Sequence, residues 1–393
     1  MPWLYIKGIG MIAGLIIGAG VFALPYSFAK AGLFWGVSHL FIAFFIVFFL
    51  HQWYGEVSYY TKGTHRFVGY VDIYLGKKAK FFALLTTLGA YYGSLLVYGI
   101  MGGVFLSNFT ALFNGHTIEV LTLGFFALGG ALSLFGLSKV AEINFFLTIP
   151  IVGFIIYLFF FSVPFMKADN FLSPGFSLLN KNWLLPYGIW LFSLTGFSAI
   201  PPTRDLFIRS SLVKFKKAIN ISLLLATITY IIFIVSVLGV SGTASTEDAF
   251  SGLGAIVGVK VMAIGSVIGF LAVFTSFIAL AMDMKSMFRY DYKIPGFFAW
   301  LLVVIPPVFL YLNDVDGLAS TLSIIGSLGM GALGIFVVLM RRKIVKVLKD
   351  GDKEDIVAEI DSSKIKIIRK LEIIILSGII IGVIYDLWGI ISS

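Results

Sequence analysis

Residues 14–26 read GLIIGAGVFALPY, in the middle of an apolar segment that runs from Trp3 to Ala31 with Lys7 and Lys30 near its ends. A straight helix of that length would be ~40 Å long, against a hydrocarbon core of ~30 Å. Gly18, Ala19 and Gly20 stand at its centre, and Pro25 follows. Gly10, Gly14 and Gly18 are spaced by four and form a small-residue ridge of the kind that helix contacts in lipid prefer. That ridge does not account for Gly20, two residues after Gly18, or for Pro25. Irregular backbone at membrane depth is tolerated only where protein buries it or where it lines a watery cavity. A central break therefore predicts an internal site. In membrane proteins built from inverted repeats such a break has a counterpart in the second half of the chain. Here residues 20–25 read GVFALP and residues 196–201 read GFSAIP, both Gly-apolar-x-Ala-(Leu/Ile)-Pro, 176 positions apart.

Composition agrees with a membrane protein of many spans. Of 393 residues, 59% are hydrophobic and 12% are charged, and 40 are Phe. The charged share is about half the quarter usual for a soluble domain, and mean hydropathy is +1.00. A soluble fold of this length could not hide so much apolar surface. The net charge of +9 does not point to nucleic acid, because the basic residues lie in short links on one side of the membrane. The absence of cysteine excludes disulfides, thiolate metal sites and Cys nucleophiles. The first segment is too long for a signal peptide and lacks a small-residue cleavage site after a short apolar core, so it is read as retained.

Eleven segments are long and apolar enough to span, at approximately 4–30, 33–58, 81–107, 117–137, 140–165, 183–203, 213–239, 259–284, 294–312, 317–340 and 370–391. The link at 61–80 has room for a short interfacial helix, and the link at 341–369 is charged and soluble. With the N-terminus inside, 25 of the 29 Lys and Arg residues fall in inside links; only Lys30, Lys167, Lys181 and Lys260 fall outside. This bias predicts a cytoplasmic N-terminus and an extracytoplasmic C-terminus in the cell membrane. The two glycine motifs then lie in spans one and six, which cross in opposite senses. The expected fold is an all-α integral membrane protein of 11 transmembrane helices with a 5+5 inverted repeat and discontinuous helices 1 and 6. The first repeat would be 1–166 and the second 183–340, followed by a cytoplasmic linker at 341–369 and span eleven at 370–393.

The eleven-span layout, GAGVFALP in span one and GFSAIP in span six resemble the amino acid/auxin permease family, and within it the bacterial aromatic and hydroxy amino acid permeases. That family belongs to the amino acid–polyamine–organocation superfamily, with the leucine-transporter fold. The resemblance covers nearly the whole chain and implies secondary active transport of a small amino acid by alternating access. A zwitterion must have both charges met where water is scarce. Freed N–H groups at a half-helix N-terminus, aided by the helix dipole, can hold a carboxylate, and freed carbonyls can accept from an ammonium. The unwound zones contain no Asp, Glu, Lys or Arg. By the pattern of the fold, Gly18, Ala19, Gly20 and Val21 would offer backbone to the carboxylate. Phe192, Ser193 and Thr195 would offer carbonyls or hydroxyls to the amine, and Gly196 and Phe197 would close the pocket. The middle of span three faces the substrate in this fold, which makes Tyr91, Tyr92 and Tyr98 candidates. Together with Phe274 of span eight these aromatic residues suggest an apolar lining. Neutral substrates follow from the lack of charge, branched or aromatic L-amino acids among them.

The resemblance leaves the coupling ion open between Na⁺ and H⁺, with no covalent cofactor. Ala272, Thr275 and Ser276 stand in the A-x-x-T-S spacing of sodium-coupled members of the fold, where span eight meets two span-one carbonyls, here Gly14 and Ile17. Against this, the aromatic amino acid permeases are regarded as proton symporters. Some sodium-independent relatives carry a lysine midway along span five, where this chain has only Lys139 at the inner end. Ionisable groups for a proton route are His39, His51, Glu56, Glu119, Glu142, Asp283 and Asp386. Glu56, Arg204 and Asp205 are candidates for an inner gate. A membrane enzyme is disfavoured, because the four His (39, 51, 65 and 116) are scattered and match no metal spacing. An amino-acid sensor, similar to a germinant-receptor subunit, that binds without net transport is the alternative. The expected partners are a small-molecule amino acid and membrane lipid. The oligomeric state stays open, and a monomer is compatible with the sequence.

Overall fold

The computed structural model describes residues 2–110, 117–134, 137–208, 210–313, 318–350 and 362–392, which are helical with no strand among them. His116, Arg209, residues 351–361 of the charged link and the side chains of Lys139 and Glu142 lie outside the described residues.

The chain opens with α1 (Pro2–Ile16) and α2 (Gly20–Ala31), a pair bent by 49° across the intervening residues. The interruption falls at the Gly-Ala-Gly centre of the first apolar segment. Pro25 sits inside α2 without ending it. Gly32 then turns the chain straight into α3 (Leu33–Tyr60) at φ +91°, and a Cβ there would stand 2.7 Å from the Pro174 carbonyl oxygen. Only glycine meets both demands. The 61–80 link carries α4 (Phe67–Leu75), the short helix its length predicted. There follow α5 (Lys77–Thr110), α6 (Ile118–Leu132), α7 (Leu137–Ser162), the single turn α8 (Asp169–Leu172) and α9 (Leu185–Leu194). A 3₁₀ turn (Phe197–Ala199) leads to α10 (Ile200–Phe207), then α11 (Leu212–Ser241), α12 (Phe250–Val257) and α13 (Val259–Asp291). The chain closes with α14 (Gly296–Leu312), α15 (Leu318–Ile324), a π-helical stretch (Ile325–Met330), α16 (Gly331–Asp350) and α17 (Ser362–Ser392).

Each of the eleven apolar segments is thus a helix or a run of helices. Among the described residues six helical stretches are long and apolar enough to cross a membrane alone, and the bent pair α1–α2 makes a seventh. The short helices α8 and α12 were not expected; each fills a link that reads as loop in the sequence.

The broken helices lie inside the bundle. α1 packs on α7 and α11, α2 on α9 and α11, and α9 on α3, α15 and the π-helical stretch. Trp190 of α9, fully buried, donates its indole N–H to the Gly36 carbonyl of α3 at 3.1 Å. Large apolar side chains such as Phe41, Phe160, Phe309 and Ile381 instead stand exposed on the outer faces of α3, α7, α14 and α17. Such a surface in water would be an aggregation liability, whereas in a bilayer it faces its own solvent.

Candidate functional site

The site is built where the two broken helices cross. α1 stops at Ile16, and the Gly18 N–H bends back to the Ile16 carbonyl at 2.8 Å instead of reaching four residues back. α2 restarts at Gly20 with no side-chain cap. The first N–H groups of a helix have no intrahelical acceptor, so this start offers donors backed by the helix dipole. At the second break Thr195 is extended (φ −79°, ψ 126°) and Gly196 lies at φ −130°, ψ 36° before the 3₁₀ turn. The Gly196 N–H is taken by His51 Nε2 at 3.0 Å.

The breaks touch. A Cβ at Gly20 would lie 2.8 Å from the Ser193 Cα, and one at Gly196 would lie 2.7 Å from Ile16 Cγ1. Tyr230 of α11, fully buried, ties them together: its hydroxyl is 2.5 Å from the Ile16 carbonyl oxygen and 3.0 Å from that of Ser193. These are last-turn carbonyls of α1 and α9, groups a helix end leaves without a partner.

Beside the crossing lies a cavity of about 30 Å³. Tyr91, Ser94 and Tyr98 of α5 form one wall, and Phe192, Thr195, Phe197 and Ser198 of the second break form another. Leu15, Leu280 and Met330 close it. That volume admits about one or two waters, so an amino acid enters only if these walls part. No lining residue is charged. The hydroxyls of Ser193 and Thr195 donate to carbonyls one turn back, Ile189 and Leu191, each at 2.6 Å. Their oxygens keep lone pairs that can accept from an ammonium.

Gly18, Ala19, Gly20 and Val21 are buried in and around the first break, and Ser193, Gly196 and Phe197 in the second. Tyr91 and Tyr98 reach the cavity. Two candidates point elsewhere. The Tyr92 hydroxyl donates to the Leu302 carbonyl of α14 at 2.6 Å. Phe274 stacks on Phe270, centroids 5.2 Å apart, and packs edge-on against Phe125. Helical spacing separates these cases: 91, 94 and 98 follow the three-and-four step of one helix face, and 92 lies off it. Ser94 is not among the sequence candidates, although that step indicates it. Met330 carried no such signal, because it sits in a π-helical stretch whose register the sequence does not announce.

Of the candidate sodium ligands, Ser276 lies against the first break: its Oγ would be 2.8 Å from a Cβ at Gly18, and it is buried with no hydrogen-bond partner among the described residues. Thr275 Oγ1 donates to the Leu271 and Ala272 carbonyls at 3.0 and 3.1 Å. Gly14, Ile17 and Ala272 are buried.

The expected gate of Glu56 with Arg204 and Asp205 does not form as a unit. Glu56 instead binds Lys216 of α11 and Arg341 of α16, the latter at 2.8 Å. Arg204 pairs with Asp205 at 3.3 Å and holds the Thr61 and Gly63 carbonyls. The two groups separate because Glu56 faces α11 and α16, whereas Arg204 reaches under the end of α3. A different ion cluster touches the cavity wall. Arg66, just before α4, pairs with Asp283 of α13 at 2.8 Å, both nearly buried. The hydroxyl of Tyr91 donates to the same carboxylate at 3.3 Å. Asp291, about two turns further along α13, accepts from the N–H groups of Arg66 and Gly69 at 3.3 and 3.0 Å. His65 Nδ1 lies 3.8 Å from Asp291 in the loop between α3 and α4; burial first, and then Lys293 and Arg204, hold its pKa below the ordinary histidine value.

The fold occurs in solved transporters. MhsT in complex with L-phenylalanine superposes with a TM-score of 0.70, at 16% identity, over 97% of this chain and 98% of that one. Mhp1, a nucleobase-cation-symport-1 family transporter in a closed conformation with bromovinylhydantoin bound, superposes with a TM-score of 0.65, at 12% identity, over 97% of this chain and 91% of that one. Both have the leucine-transporter fold, and at these identities the likeness establishes that fold for this chain. No curated protein matches the sequence significantly. Residues 4–350, from the first half-helix to the end of α16, match the tryptophan/tyrosine permease family, and the chain belongs to that family.

Proposed function

We propose that the protein is a secondary active transporter that imports neutral L-amino acids, aromatic and branched ones among them, by alternating access. The observation that carries this reading is the contact of two helix breaks at Gly20 and Ser193, the first restarting with no side-chain cap, beside a cavity without charged walls. N–H groups at the start of α2 meet a carboxylate. Hydroxyl and carbonyl oxygens at Ser193 and Thr195 meet an ammonium, and Tyr98, Phe192 and Phe197 take the side chain. MhsT, which binds L-phenylalanine on the same fold, and the family itself support an aromatic substrate.

In this reading the chain crosses the membrane eleven times with its N-terminus in the cytoplasm. Residues 1–166 and 183–340 are inverted repeats, 341–369 is a cytoplasmic linker and 370–393 is the last span. Arg66, Asp283 and Tyr91 close the cytoplasmic side. The coupling cation is Na⁺ or H⁺. The Ser276 hydroxyl beside the first break, without a hydrogen-bond partner among the described residues, supports Na⁺ as one coupling cation, held by Ser276, Thr275 and the carbonyls of Gly14, Ile17 and Ala272. All are neutral oxygen donors, the ligand type a hard cation prefers. The test is uptake of radiolabelled Trp, Tyr, Phe and Leu into proteoliposomes under an imposed Na⁺ or H⁺ gradient. Accumulation above equilibrium is expected for at least one; binding without accumulation under either gradient would show a sensor. Replacing Thr275 and Ser276 together by Ala should remove Na⁺ stimulation, and a sodium effect that survives the double change rules out this ligand set.

A further inference from the structure

His51 occupies the middle of α3, with no exposed surface. Its Nε2 accepts the Gly196 N–H at 3.0 Å, and its ring meets Phe197 edge-on with centroids 5.4 Å apart. Its Nδ1 is buried without a hydrogen-bond partner among the described residues. A ring nitrogen that accepts carries no proton, so the neutral ring has its hydrogen on Nδ1. An imidazolium carries hydrogens on both nitrogens and accepts nothing. The bond to Gly196 and a proton on Nε2 therefore exclude each other, and Gly196 is the hinge of the second break.

We propose that His51 is the proton-binding site of this transporter: proton uptake at Nε2 releases the Gly196 N–H and frees the second break to rearrange. The proton forms one N–H bond on the ring, and the ring charge it brings favours a carboxylate in the adjoining cavity. By reciprocity, an amino acid bound there strengthens proton binding. Several charged and titratable groups on the elements around His51 have partners elsewhere, and Tyr54, one turn along α3, meets Phe197 with its ring. Glu56 of α3 binds Lys216 of α11 and Arg341 of α16. Arg204 of α10 holds Asp205 and two carbonyls, and Tyr230 of α11 bridges Ile16 and Ser193. Tyr187 of α9 donates to Gly378, Asp386 of α17 accepts from Ser327, Glu372 binds Arg341 and Arg342, and Lys30 of α2 lies over Tyr26. None of them replaces His51 as the acceptor for Gly196. His51 is a positioning residue whose one variable is its proton.

The proposal rests on the transport reading, and the test separates the two. Wild type and His51→Gln are reconstituted and assayed with tritiated L-tryptophan and L-phenylalanine, for exchange at equal pH and for accumulation driven by a pH gradient. Glutamine keeps an oxygen that can accept from Gly196 but takes no proton. The expected result is a fall in exchange of under about threefold and a loss of gradient-driven accumulation of at least tenfold. Exchange without proton-driven accumulation in the wild type overturns the His51 assignment alone, as does equal accumulation in His51→Gln. Absence of exchange in the wild type overturns the transport reading and the assignment with it. A measurement on the wild type needs no variant: its affinity for L-tryptophan in detergent should change at least threefold between pH 5.5 and 8.5. A flat profile overturns the proposal.

Discussion

Gly20 has no room for even one more carbon. A Cβ would meet Ser193 backbone, which cannot swing away as a flexible side-chain tip can. Gly20→Ala should therefore push the breaks apart at a cost of about 1–3 kcal/mol and abolish uptake, while the protein still elutes as a folded species in detergent. Normal uptake by Gly20→Ala would show that the contact is dispensable. Tyr230→Phe probes the same crossing from α11. It keeps the ring packing against Trp190, centroids 6.2 Å apart, and removes the hydroxyl that serves two helix-end carbonyls. Buried acceptors left without a donor cost about 1–3 kcal/mol, so a lower melting temperature is expected, with slower uptake. At this scale the sequence was legible where backbone chemistry dominates: Gly-x-Gly in a spanning segment has few physical readings. It was less so for aromatic side chains, because with 40 Phe in the chain a ring near a site carries little information. Tyr91 and Tyr92 look alike as letters, and only the helix face on which each falls sends one to Asp283 and the other to Leu302.

Between elements, the link from α4 to α13 is ionic and cannot be read along the chain. Arg66 reads as one of many positive charges in a link, and Asp283 as a residue closing a span. Nothing local says that they meet across 217 positions, or that Tyr91 joins them. The same limit explains the Glu56 gate. Its partners Lys216 and Arg341 lie 160 and 285 positions away, on helices whose rotation decides which carboxylate they find. Breaking a buried pair by removing one member costs about 3–5 kcal/mol, because the other charge stays behind. Arg66→Ala should thus lower thermal stability in detergent more than the double change Arg66→Ala with Asp283→Asn, which leaves no buried charge. Additive losses would mean that the pair is not coupled. If the pair closes one end of the cavity, the double variant should also expose Ser198, replaced by Cys, to thiol reagents from the side that carries α4. Unchanged labelling would leave the pair a structural clasp.

For the molecule as a whole, charge asymmetry and the pair of breaks carry the topology, and both are testable in one background because the chain has no cysteine. Lys77, the first residue of the long helix α5, and Lys181, before α9, are exposed and stand on opposite sides in the eleven-span reading. In right-side-out vesicles a membrane-impermeant maleimide should label Lys181→Cys directly and Lys77→Cys only after permeabilisation. Labelling of both from one side would cut the span count between them by one and with it the antiparallel relation of the two repeats. The cavity gives the dynamic half of the test. At about 30 Å³ it is far smaller than an amino acid, so transport requires the walls of α5 and of the second break to separate, first toward one side and then toward the other. A single Cys at Ser198 should react from whichever side the resting protein opens to, and saturating L-tryptophan should slow that reaction several-fold. Driving ions that favour the opposite opening should move the reactivity across the membrane. Reactivity from one side only, indifferent to substrate and to either cation gradient, would describe a binding protein with a fixed vestibule and not a transporter.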